Sequence, residues 1–362
     1  MARKLMEGSE AIAAGMIAAG CRFFSGYPMT PFTEVLEYMG KMLPGVGGTC
    51  MNAESELEAI GMAWGAAAGG VRSATGSVGQ GLSLMQESMS ELVYARLPVV
   101  VLNMARSQGD YFKSTRGGGH GDYRHIVLAP ADVPEASRLI QLAFHLADKW
   151  RNPVTFLGDY YLAHMQETVD VAPIDFGELP DKSWALDGRS SATGHAKIIS
   201  PVKPNRRNNP VFVTYGEHLM GLPAHLDAMK AGIEPMAETG FCDDAELVVV
   251  AYGTPARYVR LVVRKLREEG LKVGFVRPIT LWPFPREAIQ AASRQAKALA
   301  VFELNTGQMV DDVALSVRHL PVHFIGGMSF DRSAFGIAPD MTVNNVAARV
   351  RDCYAQMEKE VA

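Results

Sequence analysis

The first turn with potential chemistry lies between an apolar run and a helical pattern, and reads GYPMTP at residues 26–31. Each proline fixes its own φ, so the turn is rigid. Ligands of open α/β sheets bind beyond the carboxyl ends of strands. The hydroxyl of Thr30, close to backbone N–H groups, would suit a carboxylate. The alternative interpretation is a rigid turn in which Thr30 is an N-cap.

A second stretch places acidic residues at the start of a helical pattern that continues with small residues. Residues 54–65 read ESELEAIGMAWG, so Glu56 lies near the helix start and small residues follow on the next turns. A buried carboxyl group there could hold or share a proton, and we expect its burial to come from a docked partner subunit. Glu54 is the second choice for this role. The alternative is a surface acid that favours the helix dipole.

A glycine-rich turn follows the next apolar run and reads GSVGQG at residues 76–81. It lacks the phosphate-loop pattern, and no acid follows at the spacing of a dinucleotide fold. This argues against a flavodoxin-like nucleotide-binding protein. We predict instead that Gly79 and Gln80 line the ring of a cofactor.

An arginine follows the apolar run PVVVLN at residues 98–103. The guanidinium of Arg106 is permanently charged and can steady a carboxylate or a developing anion. The loop beyond it contains three consecutive glycines beside His120, which suggests a loop around a ligand or a partner. His120 is either an acid–base group or a polar loop residue.

The composition is that of an ordinary globular protein, with 362 residues, 48% hydrophobic and 20% charged, and a formal net charge of −4. This balance gives no reason to expect nucleic acid or an anionic membrane as a partner. No apolar leader and no long apolar run is present, so we predict a cytoplasmic protein without a membrane span. The four cysteines are widely separated. We therefore predict no metal site here, and any iron–sulfur cluster must lie on another chain.

Strand and helix patterns alternate along most of the chain, which predicts an α/β fold with doubly wound parallel sheets. The predicted strands cover residues 22–25, 49–52, 71–76, 98–103, 126–129, 153–157, 246–252, 271–276, 298–303 and 322–325. We predict a first domain at 1–164 and a second at 241–362. Residues 165–240 are rich in Pro, Asn and Asp and predict a linker with little regular structure. Its basic run at 203–209 is interpreted as a solvated turn.

Taken together, these stretches resemble the α subunit of the 2-oxoacid:ferredoxin oxidoreductases, most of all their 2-oxoisovalerate branch. The motifs that carry the resemblance are GYPMTPFTEVLEYM at 26–39, AESELEAIGMAWGAAAGG at 53–70, SVGQGLSLMQE at 77–87, GGGHGDYRHIVLAP at 117–130, RNPVTFLGD at 151–159, VVVAYGTPAR at 248–257, VGFVRPITLWPFP at 273–285 and VFELNTGQMVDDV at 301–313. The resemblance implies a thiamine diphosphate pyrimidine-binding fold followed by a transketolase C-terminal-like domain.

The resemblance also implies oxidative decarboxylation of a 2-oxoacid on thiamine diphosphate, with coenzyme A as acyl acceptor and a low-potential electron acceptor. The leading substrate is 2-oxoisovalerate. An arylglyoxylate, 2-oxoglutarate or a non-catalytic scaffolding role are the alternatives. The GDG…NN diphosphate-binding segment is absent. The resemblance therefore implies a β subunit that carries it with Mg²⁺, a γ subunit, a ferredoxin-like δ subunit, 4Fe–4S clusters on the partners and an external electron acceptor.

The resemblance assigns roles by matching position. Glu56 falls on the glutamate that hydrogen-bonds N1′ of the aminopyrimidine, and Arg106 falls on the active-site arginine. The predicted catalytic residues are Glu56, Thr30 and Arg106. The predicted cofactor-binding residues are Tyr27, Pro28, Thr30, Glu56, Gly79, Gln80 and Arg106. One departure is a loop after Arg106 that is shorter than in relatives, which favours a wider pocket for an aryl or otherwise bulky 2-oxoacid.

Overall fold

A computed structural model of the chain describes most of it in five segments. They comprise residues 3–186, 198–200, 212–214, 220–327 and 341–361. The basic run at 203–209, predicted as a solvated turn, lies outside these residues.

The first part of the chain alternates short buried strands with helices. Its strands are β1 (Lys4–Glu7), β2 (Phe23–Gly26), β3 (Thr49–Asn52), β4 (Ser73–Ser77), β5 (Val99–Ala105), β6 (Ile126–Leu128), β7 (Val154–Asp159) and β8 (Gln166–Val169). Its helices are α1 (Gly8–Ala18), α2 (Thr33–Met42), α3 (Glu56–Ala68), α4 (Gly79–Leu84), α5 (Gln86–Ala95), α6 (Tyr111–Thr115), α7 (Val133–Trp150) and α8 (Tyr160–His164), with 3₁₀ turns at Leu43–Val46 and Gln108–Asp110.

The rest of the described chain forms a second set of strands and helices. The strands are β9 (Ile198–Ser200), β10 (Phe212–Thr214), β11 (Ala237–Gly240), β12 (Leu247–Val250), β13 (Val273–Pro278), β14 (Thr280–Trp282), β15 (Ala298–Val301) and β16 (Val322–Phe324). The helices are α9 (Leu222–Gly232), α10 (Pro255–Glu268), α11 (Arg286–Ala292), α12 (Met309–Ser316) and α13 (Val343–Val361).

The prediction that residues 165–240 have little regular structure is wrong for much of the described part. Strand β8 pairs antiparallel with β1, and β11 pairs antiparallel with β13. Helix α9 buries Met229 against the core of the first sheet. These short elements carry weak local patterns, and tertiary pairing supplies the stabilisation that their sequences lack.

The first large sheet has seven strands in the order β14-β6-β7-β5-β4-β2-β3. Its strands run parallel except β14, which comes from the second half of the chain and pairs antiparallel with β6. Every residue of β5 and β7 is buried, as expected for strands covered by helices on both faces. Helices α1 and α7 contribute to the core on one face, and α3 and α5 to the core on the other. The predicted doubly wound α/β fold is confirmed.

The second sheet has five strands in the order β11-β13-β12-β15-β16, all parallel except β11. Helices α10 and α13 pack on one face, and α11 and α12 on the other. Helix α10 places apolar residues at helical spacing toward this sheet, including Val259, Val262, Val263 and Leu266. Within the segments that the structure describes, no helix combines the length and the apolar character that a membrane crossing requires.

Candidate active site

Four predicted site stretches follow four neighbouring strands. In the sheet order β5-β4-β2-β3 these strands are parallel, so their carboxyl ends meet at one edge. Thr30 follows β2, Glu56 follows β3, Gly79 follows β4 and Arg106 follows β5. The sheet therefore gathers the predicted residues at the edge where ligands of open α/β sheets bind.

The carboxyl group of Glu56 lies inside the chain, with the residue only 4% exposed. It begins α3, and the preceding Ser55 caps that helix by accepting a hydrogen bond from the Leu57 N–H at 3.2 Å. Glu56 Oε1 accepts a hydrogen bond from Ser77 Oγ at 2.9 Å. Its Oε2 has no hydrogen-bond partner in the described part of the chain. The expectation that burial requires a docked partner is wrong, because this chain alone buries the residue.

The neighbouring acids do not share this environment. Glu54 and Glu58 are exposed. The pKa of Glu58 is lowered, chiefly by a hydrogen bond from the Ser55 hydroxyl. Such a hydrogen bond stabilises the ionised carboxylate, whereas a carboxyl group that shares a proton near neutral pH needs an environment that keeps the proton bound. The structure therefore favours Glu56 over the second choice, Glu54.

A glycine makes room for the Glu56 carboxyl group. A Cβ added to Gly81 would overlap both the Glu56 carboxyl and the Ser77 hydroxyl. Gly81 belongs to α4, which follows β4 directly through the glycine-rich turn. The turn thus brings bare backbone against the acid and fixes its position.

Arg106 lies at the mouth of the site and is exposed. Its Nε donates a hydrogen bond to the Thr30 carbonyl at 3.2 Å, which joins the turns after β5 and β2. A cavity of about 310 Å³ opens beside it. The cavity is lined by Gly79, Gln80, Ser83, Arg106, Ser107, Asp110 and Lys113. Arg106, Gly79 and Gln80 are therefore brought together, as their positions after adjacent strands predict.

A lysine and an aspartate add charge to this cavity. Lys113 Nζ donates to the Gly79 carbonyl at 2.6 Å and lies 3.2 Å from Asp110 Oδ1. The Asp110 carboxylate packs against Gly79, where a Cβ would lie 2.8 Å from its oxygens. With Arg106, the cavity holds two cations and one anion. A net positive cavity of this kind suits an anionic ligand such as a carboxylate.

Thr30 does not act as a helix N-cap. Helix α2 begins at Thr33, and the preceding Phe32 provides no side-chain cap. Thr30 is exposed, and a cis peptide bond joins it to Pro31. The alternative interpretation of this turn is therefore wrong, and the Thr30 side chain is accessible to a ligand.

Four predicted cofactor-binding residues, Tyr27, Pro28, Thr30 and Glu56, do not line the Arg106 cavity. Tyr27 is 37% exposed at the end of β2. Pro28 lines a separate cavity of about 390 Å³, together with Thr33, Leu36, Glu37, Gly40, Cys50 and Asn52. Their roles toward a cofactor stay predictions.

The three-glycine loop closes on itself and on α5. The backbone N–H groups of Gly118 and Gly119 each donate to Tyr123 Oη at 2.9 Å. His120 Nε2 lies 2.9 Å from Glu91 Oε1, and its Nδ1 lies 3.1 Å from Ser90 Oγ. The loop therefore needs no ligand to account for its glycines, because the N–H groups of two of them bind Tyr123. His120 is held by Glu91 and Ser90, which is a structural role.

Sequence reasoning missed Ser77, Asp110 and Lys113. Ser77 is the last residue of β4 and stands inside the quoted GSVGQG motif, so its place at a carboxyl strand end is the signal that could have found it. Asp110 and Lys113 are spaced three apart in the segment after Arg106, predicted as loop but containing a 3₁₀ turn and α6. An i, i+3 ion pair is a helical signal. Within the segments described, no group of three or more possible metal-ligating side chains occurs.

Family comparisons cover both halves of the chain. The model described as pyruvate flavodoxin/ferredoxin oxidoreductase, thiamine diphosphate-binding, matches residues 14–234. The model of pyruvate:ferredoxin oxidoreductase core domain II matches residues 245–335.

Two curated relatives match almost the whole length. Ketoisovalerate oxidoreductase subunit VorB of Methanothermobacter thermautotrophicus is 38% identical, over 87% of this chain and 90% of that protein. The 2-oxoglutarate synthase subunit KorA of Methanocaldococcus jannaschii is 36% identical, over 86% of this chain and 90% of that protein.

Solved structures share the fold. The 2-oxoglutarate:ferredoxin oxidoreductase from Magnetococcus marinus, with 2-oxoglutarate, coenzyme A and succinyl-CoA bound, matches with a TM-score of 0.79 and 26% identity. The match covers 97% of this chain but 65% of that chain, so this chain spans only part of that enzyme subunit. A split-gene transketolase in an inactive beta4 tetramer matches with a TM-score of 0.58 and 14% identity, over 96% and 97% of the two chains. This second likeness concerns the fold alone.

Proposed function

This chain belongs to the pyruvate and 2-oxoacid:ferredoxin oxidoreductase family, and from this premise we propose that it is the α-type catalytic subunit of a CoA-acylating 2-oxoacid oxidoreductase. The single observation that carries the proposal is the buried Glu56 carboxyl. One of its oxygens accepts a hydrogen bond from Ser77, the other has no partner in the described chain, and Gly81 makes room for the carboxyl group.

These residues fit thiamine diphosphate, which supplies an electron sink for decarboxylation when bound. Glu56 would hold the aminopyrimidine ring at N1′ and share a proton with it. Gly79 and Gln80 would line the ring, since they lie in the turn between Ser77 and Gly81. Tyr27 and Pro28 would contact the cofactor outside the Arg106 cavity, since Pro28 lines a separate cavity.

Arg106 and Thr30 would bind the substrate. The permanently charged guanidinium of Arg106 can bind the carboxylate of a 2-oxoacid. Its hydrogen bond to the Thr30 carbonyl holds the turn after β2 next to Arg106. The exposed Thr30 hydroxyl is then available to the same ligand.

The chain would act only with partners. Its relatives are named as subunits, it lacks the GDG…NN segment, and its four cysteines are free and far apart in sequence. We therefore assign Mg²⁺ and diphosphate binding to a β subunit. A γ subunit, a ferredoxin-like δ subunit with 4Fe–4S clusters, coenzyme A and an external electron acceptor complete the proposed cytoplasmic system.

The proposed substrate is the branched-chain 2-oxoisovalerate, supported by 38% identity to the ketoisovalerate oxidoreductase subunit. A second candidate is 2-oxoglutarate, at 36% identity to the corresponding subunit. The second candidate is favoured by the cavity itself, because Lys113 places a second cation beside Arg106. The distal carboxylate of 2-oxoglutarate would use that cation, whereas an isopropyl group would not.

The test is reconstitution of the chain with its partners, followed by CoA-dependent reduction of a viologen dye. We expect kcat/KM to be highest for 2-oxoisovalerate among 2-oxoisovalerate, 2-oxoglutarate and phenylglyoxylate. A preference for 2-oxoglutarate would support the second candidate, and a preference for phenylglyoxylate would support the wider-pocket hypothesis. A complex that contains no thiamine diphosphate and oxidises none of the three would overturn the proposal.

A further inference from the structure

The segment after Arg106 is attached to the second half of the chain by a buried glutamine. Gln108 is 4% exposed. Its Nε2 donates to the Tyr252 carbonyl at 2.9 Å, and its Oε1 accepts from the Leu304 N–H at 2.8 Å. The Gln108 carbonyl accepts from Asn305 Nδ2 at 2.9 Å. All of these partners come after β12 in the sequence, in segments that follow strands of the second sheet.

A second glutamine reaches back from the other side. Gln308 Nε2 donates to the Gly109 carbonyl at 2.8 Å, and Gln308 Oε1 accepts from the Phe112 N–H at 2.8 Å. One side chain thus satisfies two backbone groups of the same short segment, one within the 3₁₀ turn and one just after it. This two-point contact fixes the position of the turn as well as its distance from the second sheet.

A buried carboxylate holds these side chains in place. Glu303 is fully buried and follows β15. Its oxygens accept from Asn305 Nδ2 at 2.8 Å and from the backbone N–H groups of Gln308 and Met309 at 2.9 Å each. A carboxylate at the N-terminus of α12 is stabilised by these charge-assisted hydrogen bonds. Asn305 and Gln308 therefore start from a rigid base.

The far side of the same segment forms the active-site cavity. Arg106, two residues before Gln108, is joined to the Thr30 carbonyl. Lys113, next to Phe112, donates to the Gly79 carbonyl. Asp312 extends the attachment, since its Oδ2 accepts from Tyr111 Oη at 2.6 Å. The segment is thus held by the second sheet on one side and presents its cations to the cavity on the other.

We propose that the second half of the chain acts as a clamp that holds residues 107–116, the clamped segment, in place. Gln108 and Gln308 are then positioning residues that set Arg106 and Lys113 relative to Glu56. The inference rests on the proposed function and deepens it. Small displacements of a substrate-binding group cost much of its effect on rate. Arg106 is exposed, and within the described chain its side chain makes one hydrogen bond, to the Thr30 carbonyl. Its position therefore depends on the position of its backbone.

The test uses Gln308→Ala in the assembled complex, because Gln308 is only partly buried and its loss should not unfold the chain. The matched control is Gln290→Ala. Gln290 donates one hydrogen bond within the second half of the chain, to the Ser316 carbonyl at 2.9 Å, and this bond does not involve the clamped segment. Gln308→Glu keeps the acceptor for the Phe112 N–H and loses the donor to the Gly109 carbonyl.

We expect Gln308→Ala to raise KM for the 2-oxoacid about tenfold, because a ground-state contact is displaced, with KM for coenzyme A and the melting temperature matching the control. Gln308→Glu should raise KM at least as much as Gln308→Ala, because a carboxylate oxygen would face the Gly109 carbonyl oxygen. Amide hydrogen exchange of residues 107–116 should accelerate in Gln308→Ala, while that of residues 56–68 should not change.

Equal KM and equal exchange in Gln308→Ala and Gln290→Ala would overturn the clamp. A wild-type complex without 2-oxoacid turnover would instead contradict the proposed function, and the hydrogen-exchange comparison would still decide whether the clamp exists.

Discussion

The two halves of the candidate site are held in place differently. Glu56 is fixed by Ser77 and Gly81, which lie within the same domain and close in sequence. The segment after Arg106 is fixed by Tyr252, Asn305 and Gln308, which lie far along the chain. The acid is therefore built into the first sheet, whereas the arginine depends on how the second sheet packs against it.

The interactions that hold Glu56 also differ in kind from those that hold the segment after Arg106. The wall around Glu56 is close-packed, and a single added methyl group at Gly81 would overlap the acid. The clamp relies on buried polar hydrogen bonds, each of which contributes about 1 kcal/mol net. In the proposed function, the acid–base group is therefore positioned by the first sheet alone, whereas the position of the substrate-binding arginine also depends on the second sheet.

The largest expected effect comes from Glu56→Gln, which keeps the shape of the side chain and an acceptor for Ser77. Turnover should fall by about 100- to 10,000-fold, because a positioned proton-sharing group is lost. Assembly and melting temperature should be preserved. Glu54→Gln, at an exposed position, is the control and should retain turnover. A Glu56→Gln complex that still turns over would favour the scaffolding alternative.

Gly81→Ala tests whether the wall around the acid is as tight as the structure shows. The added Cβ should displace Glu56 and Ser77 and destabilise the fold by about 2 to 3 kcal/mol, with a loss of turnover. Gly40→Ala is the control, since no atom lies within 4 Å of a Cβ there. That helix position should gain up to about 1 kcal/mol. Chemical denaturation of both variants distinguishes them, and equal stability would contradict the tight wall.

Thr254→Val loosens the junction between the two sheets. Thr254 Oγ1 donates to Asp159 Oδ2 at 2.5 Å, and both residues are buried. The loss should cost about 2 kcal/mol and accelerate exchange at 107–116 but not at 56–68. Thr75→Val is the control, because the buried Thr75 hydroxyl has no hydrogen-bond partner in the described chain.

The Thr254→Val effect should also depend on pH. Burial raises the pKa of Asp159, and the Thr254 hydroxyl opposes that rise. A raised carboxyl pKa contributes stability below its unfolded value that is lost as pH rises through the folded value. Removing the hydroxyl raises the pKa further. The destabilisation should therefore be larger at neutral pH than in acid, and a pH-independent difference would contradict this account.

The smallest effect concerns a buried histidine beneath the clamped segment. Burial lowers the pKa of His125 from 6.5 to about 4, and a hydrogen bond with the Ser114 backbone acts in the opposite direction. A lowered histidine pKa gives stability that is present above pH 6.5 and is lost as pH falls toward 4. Between pH 6.5 and 5 the loss should be about 1.5 kcal/mol. His125→Phe should remove that part of the pH dependence in urea titrations, and an unchanged pH profile would count against it.

The sequence predicted the elements that carry strong local patterns. The strand at Thr49–Asn52 occurs at its predicted bounds. The pairings β1 with β8 and β6 with β14 were not foreseen, because they join short strands across long separations. Helix α9 was missed because its local pattern is weak and its stability comes from burying residues such as Met229.

The candidate site divides in the same way. Glu56, Gly79 and Arg106 were found because each follows a recognisable strand, and parallel strands place such residues at one edge. Gln108 lies in the predicted loop after Arg106, but its contact with Tyr252 could not be predicted, since no local pattern indicates a contact across 144 positions. From the sequence, the burial of Glu56 is attributed to a partner subunit. The room that Gly81 leaves for the carboxyl group exists only in the folded chain, so the sequence pattern could not show it.

The most direct test of the central claim is the exchange rate of the C2 proton of thiamine diphosphate bound to the assembled complex, followed by NMR. In wild type, Glu56 should promote rapid exchange. In Glu56→Gln, with the same cofactor content, exchange should be at least about 100-fold slower. Equal exchange rates in the two complexes would contradict the assignment of Glu56 to the pyrimidine ring.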